Sequence, residues 1–434
     1  MRRPVLLVFL PLLLLGYFGG ESRAAEFATL HEVVRHFQVA FVDRLNLSAL
    51  LYGGLNGVKK VAPKVKIQIL TSPDVYEVQV GAKQLTLDKN ALFNFTALEK
   101  ALVSVGNLVE SQKPAPAHAA LEHAIIRGMV EYSGDPWTAF LESDIYNRLL
   151  DDGTTQRGDV GLSLEHSGID LRVLDVAPES PAFKAGIPIG GKLERIQGKN
   201  ANLLSDLEAL AMLRGDIGKA VEVVVNGKKH PLSFAPEVVK NIEVDPPKNG
   251  IARVHLLNFR EGTGKRFKEV MQKLSGLEGG LKGLVLDLRK NPGGLVTEGT
   301  EVVGALIGGG KVVSVVSARH TRTEVEESPK PGPYQSLPLA ILTDHRSASV
   351  SEIVCLALRD HGRAKLVGEK TLGKGTVQVV IELMDGSALK LSTGRYYSPK
   401  GSPLYEGIEP DLEVDWNGQG QDVQLEKAIA LLQK

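Results

Sequence analysis

The sequence predicts an α+β multidomain protein with N-terminal helices, a small strand-rich module and a C-terminal α/β core. Three observations predict it. Residues 26–56 carry apolar side chains at three- and four-residue steps (Leu30, Val33, Val34, Phe37, Phe41, Leu45), the spacing of one helix face. Residues 158–235 divide into short glycine-bounded strands with two helices. From about residue 245, strand-like and helix-like runs alternate, which argues a layered α/β arrangement. A chain of 434 residues suggests two to four such domains.

The first 24 residues read as a targeting segment. Arg2 and Arg3 give a positive start, Val5 to Leu15 an apolar run broken only by Pro11, and Ser22-Arg23-Ala24 the small residues a signal peptidase reads. A bilayer span takes about 20 apolar residues and this run is shorter. Cleaved secretion is therefore the expectation, with a retained anchor as the alternative. The strongly apolar run fits ordinary secretion better than twin-arginine export, and no cysteine lies near the cleavage point to carry a lipid. The expected location is exported, periplasmic or cell envelope.

Composition narrows the function. Hydrophobic content of 43% and charged content of 24% are ordinary for globular protein. Basic and acidic residues balance at 51 each, so charge gives no support for a nucleic-acid partner. Cys355 is the single cysteine, so no internal disulfide forms and stability must come from the core. It sits in the apolar run Ile353–Leu358 and reads as a small buried hydrophobe. There is no His-Glu-x-x-His or cysteine/histidine cluster, so neither a metal nor another cofactor is expected.

Taken in order, residues 65–69 and 76–80 alternate like strands, Lys113-Pro114-Ala115-Pro116 is a linker, and helix resumes from Leu121 through Met129 until Asp135-Pro136. In the middle module Gly161-Leu162-Ser163-Leu164 opens a strand. Ser180-Pro181-Ala182-Phe183-Lys184-Ala185-Gly186 is a turn, a short helix and a stop. Leu193–Ile196 is a strand, Leu203–Leu213 an amphipathic helix, and Val221–Val225 a buried strand closed by Asn226-Gly227. This order resembles a PDZ domain, a fold that binds a peptide C-terminus as an added strand. The resemblance implies that Gly161, Leu162, Ser163 and Leu164 hold the peptide, with the Leu203–Leu213 helix as the other wall. Gly191 departs from it, standing where aspartate is usual. The last block reads as strands at 251–256, 284–288, 337–342, 377–383 and 388–391, with helices at 265–274 and 349–360.

Three segments of this block carry chemistry. Ser347-Ala348-Ser349-Val350-Ser351-Glu352 supplies hydroxyls. A serine at the start of the 349–360 helix sits at the positive end of the helix dipole, which favours an alkoxide, yet serine is also a favoured N-cap. The residues alone leave Ser347, Ser349 and Ser351 open as nucleophile. Lys374 stands between Gly373 and Gly375. A free lysine titrates near 10.4 and is a poor base; burial lowers that value. The alternative is a solvated loop lysine. Asn291-Pro292-Gly293-Gly294 closes a strand and is first a turn. Functionally it offers the Gly293 N–H to an oxyanion, with the Val350 N–H as second donor, and one such donor is worth about 3–4 kcal/mol. Gly368 to Lys374 looks like a P-loop start, but Gly375 follows where a P-loop needs serine or threonine. His345 and His361 flank the serine helix and are rival bases.

Together these segments resemble the C-terminal processing (tail-specific) serine proteases. The likeness rests on Gly283–Gly294, Ser347–Ile353, Thr371-Leu372-Gly373-Lys374-Gly375-Thr376-Val377-Gln378, Gly394–Gly401 and Gly407–Asp411, and covers roughly 121–415. It implies Ser349 as nucleophile, Lys374 as base, Gln378 orienting the lysine, and Asp360 as a helper, with Glu352 as supporting structure. It implies a ClpP/crotonase-like catalytic core with a PDZ domain gating access. The partners it implies are protein substrates engaged by their C-terminal tails; an adaptor and a homo-oligomer are compatible with it. A catalytically silent scaffold of the same fold is the alternative. The expected boundaries are 1–24 (signal), 25–150 (helical region with an insert near 57–120), 155–236 (PDZ) and 237–434 (peptidase core and C-terminal segment). Two departures stand out: Arg346 replaces a usual glycine, and residues 59–120 are additional, expected to serve dimerisation or adaptor docking.

Overall fold

In the computed structural model the chain forms two compact units, residues 1–238 with 378–392, and residues 239–377 with 393–434. The structure describes residues 27–433 except 62–66, 150–156, 168–169, 237–240, 318–322, 329 and 417. The expected targeting segment lies outside the described residues.

The first unit begins with α1 (Ala28–Ala40), α2 (Leu47–Val61), β1 (Ile67–Thr71), β2 (Val75–Val80), β3 (Lys83–Asp88), α3 (Phe95–Glu110) and α4 (His118–Glu131). The expected helix over 26–56 is two helices, parted at 41–46. Strands β1, β2 and β3 form an antiparallel sheet. The segment near 57–120, expected as an insert, shares the apolar core of this unit. Val78 and Val80 of β2, and Leu98, Leu102, Val105 and Val109 of α3, lie in one apolar core with Leu30, Leu51, Leu55, Leu121 and Ile125. Fully burying one such side chain is worth about 1.5–3 kcal/mol, so this segment is part of the unit's core. Helix α3 was not expected, although Leu98, Leu102, Val105 and Val109 share one face; its start is marked by Asn94, whose Oδ1 accepts from the Ala97 N–H at 2.8 Å.

The chain continues through β4 (Ala139–Leu141), α5 (Ser143–Leu149), β5 (Arg157–Asp159), β6 (Leu162–Ser167), β7 (Asp170–Val176), α6 (Pro181–Lys184), β8 (Leu193–Ile196), β9 (Lys199–Asn200), α7 (Asp206–Met212), β10 (Arg214–Asp216), β11 (Ala220–Val225) and β12 (Lys228–Ser233). The sheet order is β12-β11-β8-β9, beside the hairpin β6-β7 and the pair β10-β5. Two helix starts are written in the sequence. Ser180 caps α6, with Pro181 at its first position, and Ser205 with Glu208 makes a reciprocal capping box on α7. Val160, Leu171, Leu193, Ile196, Val221 and Val223 fill the core of this part.

The second unit contains β13 (Ile242–Lys248), β14 (Ile251–Leu256), α8 (Thr263–Ser275), β15 (Gly283–Asp287), α9 (Val296–Leu306), β16 (Gly310–Ser317), β17 (Thr323–Ser328), β18 (Leu339–Thr343), α10 (Val350–Asp360) and β19 (Ala364–Gly368). Strands β20 (Thr376–Glu382) and β21 (Ala388–Tyr397) are divided between the units; β22 (Leu412–Glu413) and α11 (Val423–Leu432) complete the second. Its main sheet runs β13-β14-β15-β18-β19-β22, parallel throughout except at β13. The largely apolar strands β15 and β18 are buried on both faces, as parallel strands require. Leu284, Leu286, Ile341 and Leu366 face a core shared with α8, α9 and α10. The alternate residues Val285, Ala340, Leu342 and Val367 pack with Leu425, Ala428, Ile429 and Leu432 of α11. Adjacent strands β15, β18 and β19 end level, with Asp287 opposite Leu342 and Thr343 opposite Gly368. The loops 288–294, 344–349 and 369–375 leave from that edge, the usual place for a site on parallel strands.

Candidate active site

Burial separates the three serines. Ser347 is fully buried and its Oγ donates to the Leu288 carbonyl at 2.8 Å. Ser351 is fully buried and its Oγ donates to the Asn291 carbonyl at 2.9 Å. Both hydroxyls fasten the serine segment to the 288–294 loop. Ser349, between them, is half-buried and occupies the N-cap of α10 with φ 56° and ψ −114°. A non-glycine residue in such a region costs on the order of 1–3 kcal/mol and is held only by strong surroundings.

Glu352 is the principal restraint. Its side chain has no solvent exposure. Oε2 accepts from the Ser349 N–H at 2.8 Å and from the Lys374 N–H at 2.9 Å. Oε1 accepts from the Gly373 N–H at 2.7 Å and from Thr371 Oγ at 2.6 Å. Two bonds to one oxygen keep the Ser349 and Lys374 backbone nitrogens within about 6 Å of each other. Thr371 in turn accepts from the Ile408 N–H at 2.7 Å. The sequence reading gave Glu352 only a supporting place; the signal it passed over is a carboxylate three residues after the serine, at a helix start.

Electrostatics at this junction oppose one another. Burial pulls the Lys374 pKa below its ordinary value, while the charge of Glu352 pushes it back up. Burial raises the Glu352 pKa, and the donors from Thr371, Gly373, Ser349 and Lys374 counteract it.

The flanking glycines of Lys374 have a different reason from close passage of a substrate. A Cβ on Gly373, whose φ is +89°, would lie 2.7 Å from the Gly407 nitrogen, and one on Gly375 would lie 2.6 Å from the Leu404 carbonyl carbon. They let the 404–407 segment press on the lysine loop. Gly293 presses on the serine: a Cβ there would lie 2.9 Å from both Ser349 Cβ and the Val350 nitrogen. Its own N–H donates to Asn291 Oδ1 at 2.9 Å, so this expected oxyanion donor is turned inward. Val350 supplies the first N–H of α10, where backbone donors are unspent by the helix. Asn291, read from sequence as a turn residue, is fully buried; its carbonyl also accepts from the Ala348 N–H at 3.0 Å, and its Nδ2 donates to the Leu256 carbonyl at 2.9 Å.

Other expected residues lie elsewhere. Asp360 ends α10, and at 1.5 Å per residue it is about 16 Å from Ser349 along the helix. Its Oδ2 accepts from Ser398 Oγ at 2.5 Å and from the Lys400 N–H at 2.9 Å, which fastens the 398–400 turn to the end of α10. Gln378 belongs to the first unit, where its Nε2 donates to Ser392 Oγ at 3.2 Å. Of the rival bases, His345 pairs with Glu369 at 2.9 Å and His361 caps the far end of α10 against the Lys311 carbonyl at 2.8 Å. Arg346 is half-buried beside Asp344, its backbone N–H donating to Oδ1 at 3.0 Å. In the first unit, Leu162, Ser163 and Leu164 lie on β6, paired with β7, and the Gly161 N–H donates to Asp159 Oδ1 at 2.8 Å.

The sequence model of peptidase family S41 matches residues 250–414, the segment that holds all three loops. A carboxy-terminal-processing protease of Bartonella bacilliformis is 30% identical over 330 residues, covering 73% of this chain and 75% of that protein. The chain belongs to peptidase family S41. The S41 peptidase is also 27% identical over 296 residues to the carboxy-terminal processing protease CtpA of Bacillus subtilis, covering 67% of this chain and 63% of that protein. A solved photosystem II D1 C-terminal processing protease matches with a TM-score of 0.64 at 25% identity, over 94% of this chain and 98% of that one. The enzyme is thus a serine-type peptidase whose relatives are C-terminal processing proteases, with mixed α/β content. Among the described residues, no helix is long and apolar enough to cross a membrane.

Proposed function

We propose that this S41 peptidase is an exported serine endopeptidase that grips the C-terminal tail of a substrate protein and cuts the chain through an acyl-enzyme on Ser349. The observation that carries the reading is the shared acceptor, Glu352 Oε2, between the Ser349 and Lys374 backbones. Lys374 is the base. Its neutral amine takes the Ser349 proton as Oγ attacks the scissile carbonyl, and the resulting ammonium returns that proton to the leaving amine. Water then attacks the ester with the amine again as base, and Ser349 is regenerated. A lysine works near neutrality only when its pKa falls, and burial acts in that direction. The N–H groups of Val350 and Gly293 receive the developing charge; Gly293 does so after releasing Asn291 Oδ1. Gln378 stays as the lysine-orienting residue on the family resemblance.

The proposed domains are a signal over 1–24, an N-terminal region over 25–150, a PDZ domain over 155–236 and a ClpP/crotonase-like core over 237–434. The order β6-β7-α6-β8-α7-β11-β12 supports the PDZ reading. In that reading the tail adds beside β6, with α7 opposite. The Gly161 N–H is engaged by Asp159, so the amides of Leu162 and Ser163 take its terminal carboxylate. An adaptor and a homo-oligomer rest on the resemblance alone.

Replacing Lys374 by alanine is the deciding test. Cleavage of a tail-bearing protein should vanish while tail-peptide binding, followed by fluorescence anisotropy, survives. A wild-type protein that binds tails and cleaves none of their owners would make the chain a silent scaffold.

A further inference from the structure

We propose that Asp422 and Gln424, at the start of α11, are positioning residues for the 288–294 loop and act on it through Arg289. The proposal rests on the serine-peptidase reading above. Both residues lie beyond residue 414, where the S41 match ends.

Arg289 is 6% exposed, and its guanidinium is held from two sides. Toward β15, Nε donates to Asp287 Oδ1 at 2.9 Å and Nη2 to Asp287 Oδ2 at 2.6 Å. Toward α11, Nη2 donates to Asp422 Oδ2 at 2.8 Å, and Nη1 to Asp422 Oδ1 at 3.1 Å and to Gln424 Oε1 at 3.0 Å. The Trp416 ring lies over the same group at 5.1 Å. Asp287 is fully buried and also takes Arg253 at 2.7 Å, which pairs with Asp245 at 3.0 Å. Asp422 adds a third carboxylate to Arg253, Arg289, Asp245 and Asp287, and it engages Arg289 from the side facing α11. A forked guanidinium–carboxylate pair fixes direction as well as distance.

From that anchor to the serine is a short mechanical path. The Arg289 carbonyl is bonded to His255 Nε2 at 3.0 Å. The Lys290 N–H donates to Asp344 Oδ1 at 2.9 Å, with Lys290 at φ 61°. The next residue is Asn291, whose carbonyl accepts from Ala348 and Ser351, either side of Ser349. Without Asp422, Arg289 keeps Asp287 and Gln424 but loses its two bonds to the α11 carboxylate, and the loop it begins is held less firmly. A displacement near 1 Å at reacting groups costs about 100-fold in rate.

The test uses the full-length enzyme. Asp422→Asn is the main variant, because asparagine still caps α11 toward the Leu425 N–H yet cannot complete the charged fork. Gln424→Ala is the second, leaving the cap intact. A fluorophosphonate counts reactive Ser349, and a fluorogenic tail peptide gives kcat and KM. A peptide boronate, which forms a tetrahedral adduct, is compared with the same peptide lacking boron. The expected result for Asp422→Asn is a kcat per labelled site lower by about 10–100-fold, KM within about threefold, and boronate affinity lowered by the same factor as kcat. Plain-peptide affinity stays unchanged. A kcat per labelled site within about twofold of wild type in either folded variant overturns the proposal. So does a loss that tracks only the labelled fraction, which is what a merely structural seal would give. If wild type labels but never turns over, the endopeptidase reading fails. The boronate affinities of wild type and variants still decide the role of Asp422.

Discussion

Glu352→Gln isolates what the buried carboxylate does. The carboxylate accepts four hydrogen bonds, from Ser349, Lys374, Gly373 and Thr371, and glutamine keeps one acceptor oxygen. If its amide nitrogen replaces Oε2, the N–H groups of Ser349 and Lys374 both face a donor. If it replaces Oε1, Gly373 does, while the Thr371 hydroxyl turns to accept. The second arrangement is cheaper and strands one buried N–H, at about 1–3 kcal/mol of stability. The charge effect has a definite sign. Glu352 raises the Lys374 pKa, so removing its charge lets that pKa fall. A base must be neutral to act, so activity rises with pH through the lysine pKa, and the rising limb should move to lower pH. The assay is the pH profile of kcat/KM on a fluorogenic tail peptide, with melting temperature in parallel. A limb that stays in place or moves to higher pH would refute the coupling between this carboxylate and the lysine.

Three further outcomes follow from the geometry. Gly293→Ala puts a methyl 2.9 Å from Ser349 Cβ at a φ of +98°; kcat/KM should fall by at least about 100-fold in peptide cleavage. Asp360→Ala removes two bonds at the far end of α10. It should lower the melting temperature while kcat stays within about twofold, because no reacting group is moved. Glu142, held by His123 first and also by Arg127, has its pKa lowered from 4.5 to about 2. The unfolded chain therefore binds the extra proton between those values, and stability from this group is present above pH 4.5 and lost toward pH 2. In Glu142→Gln, denaturant titrations across that window should show a shallower dependence on pH.

Much of the second unit was legible because its strands are buried on both faces. The run 337–342 is apolar throughout and 284–288 is apolar apart from Asp287, matching β18 and β15, and α10 begins within one residue of its expected start. The Ser-Pro start of α6 was equally plain, whereas α7, expected from Leu203, begins at Asp206 behind the Ser205–Glu208 capping box. Helix α3 was not read although Leu98, Leu102, Val105 and Val109 recur at helical steps behind the Asn94 cap, so the signal was present in the sequence. The three serines could not be told apart by spacing: which hydroxyl is spent depends on the carbonyls of Leu288 and Asn291, some 60 residues away. Glu352 and Asn291 were undervalued for the same reason, as their partners come from other loops. Asp360 was named on the family resemblance, and its place at the far end of the eleven-residue α10 shows only in the fold.

The dihedral angles of Ser349 also govern how the enzyme can be stopped without being weakened. Glycine tolerates φ 56° with ψ −114°, whereas alanine inherits the whole torsional burden of the serine. A Ser349→Gly protein should therefore be inert yet more heat-resistant than its parent, and the alanine version inert but no sturdier. For capturing a tail in place over days of crystallisation, the glycine form is the better bait.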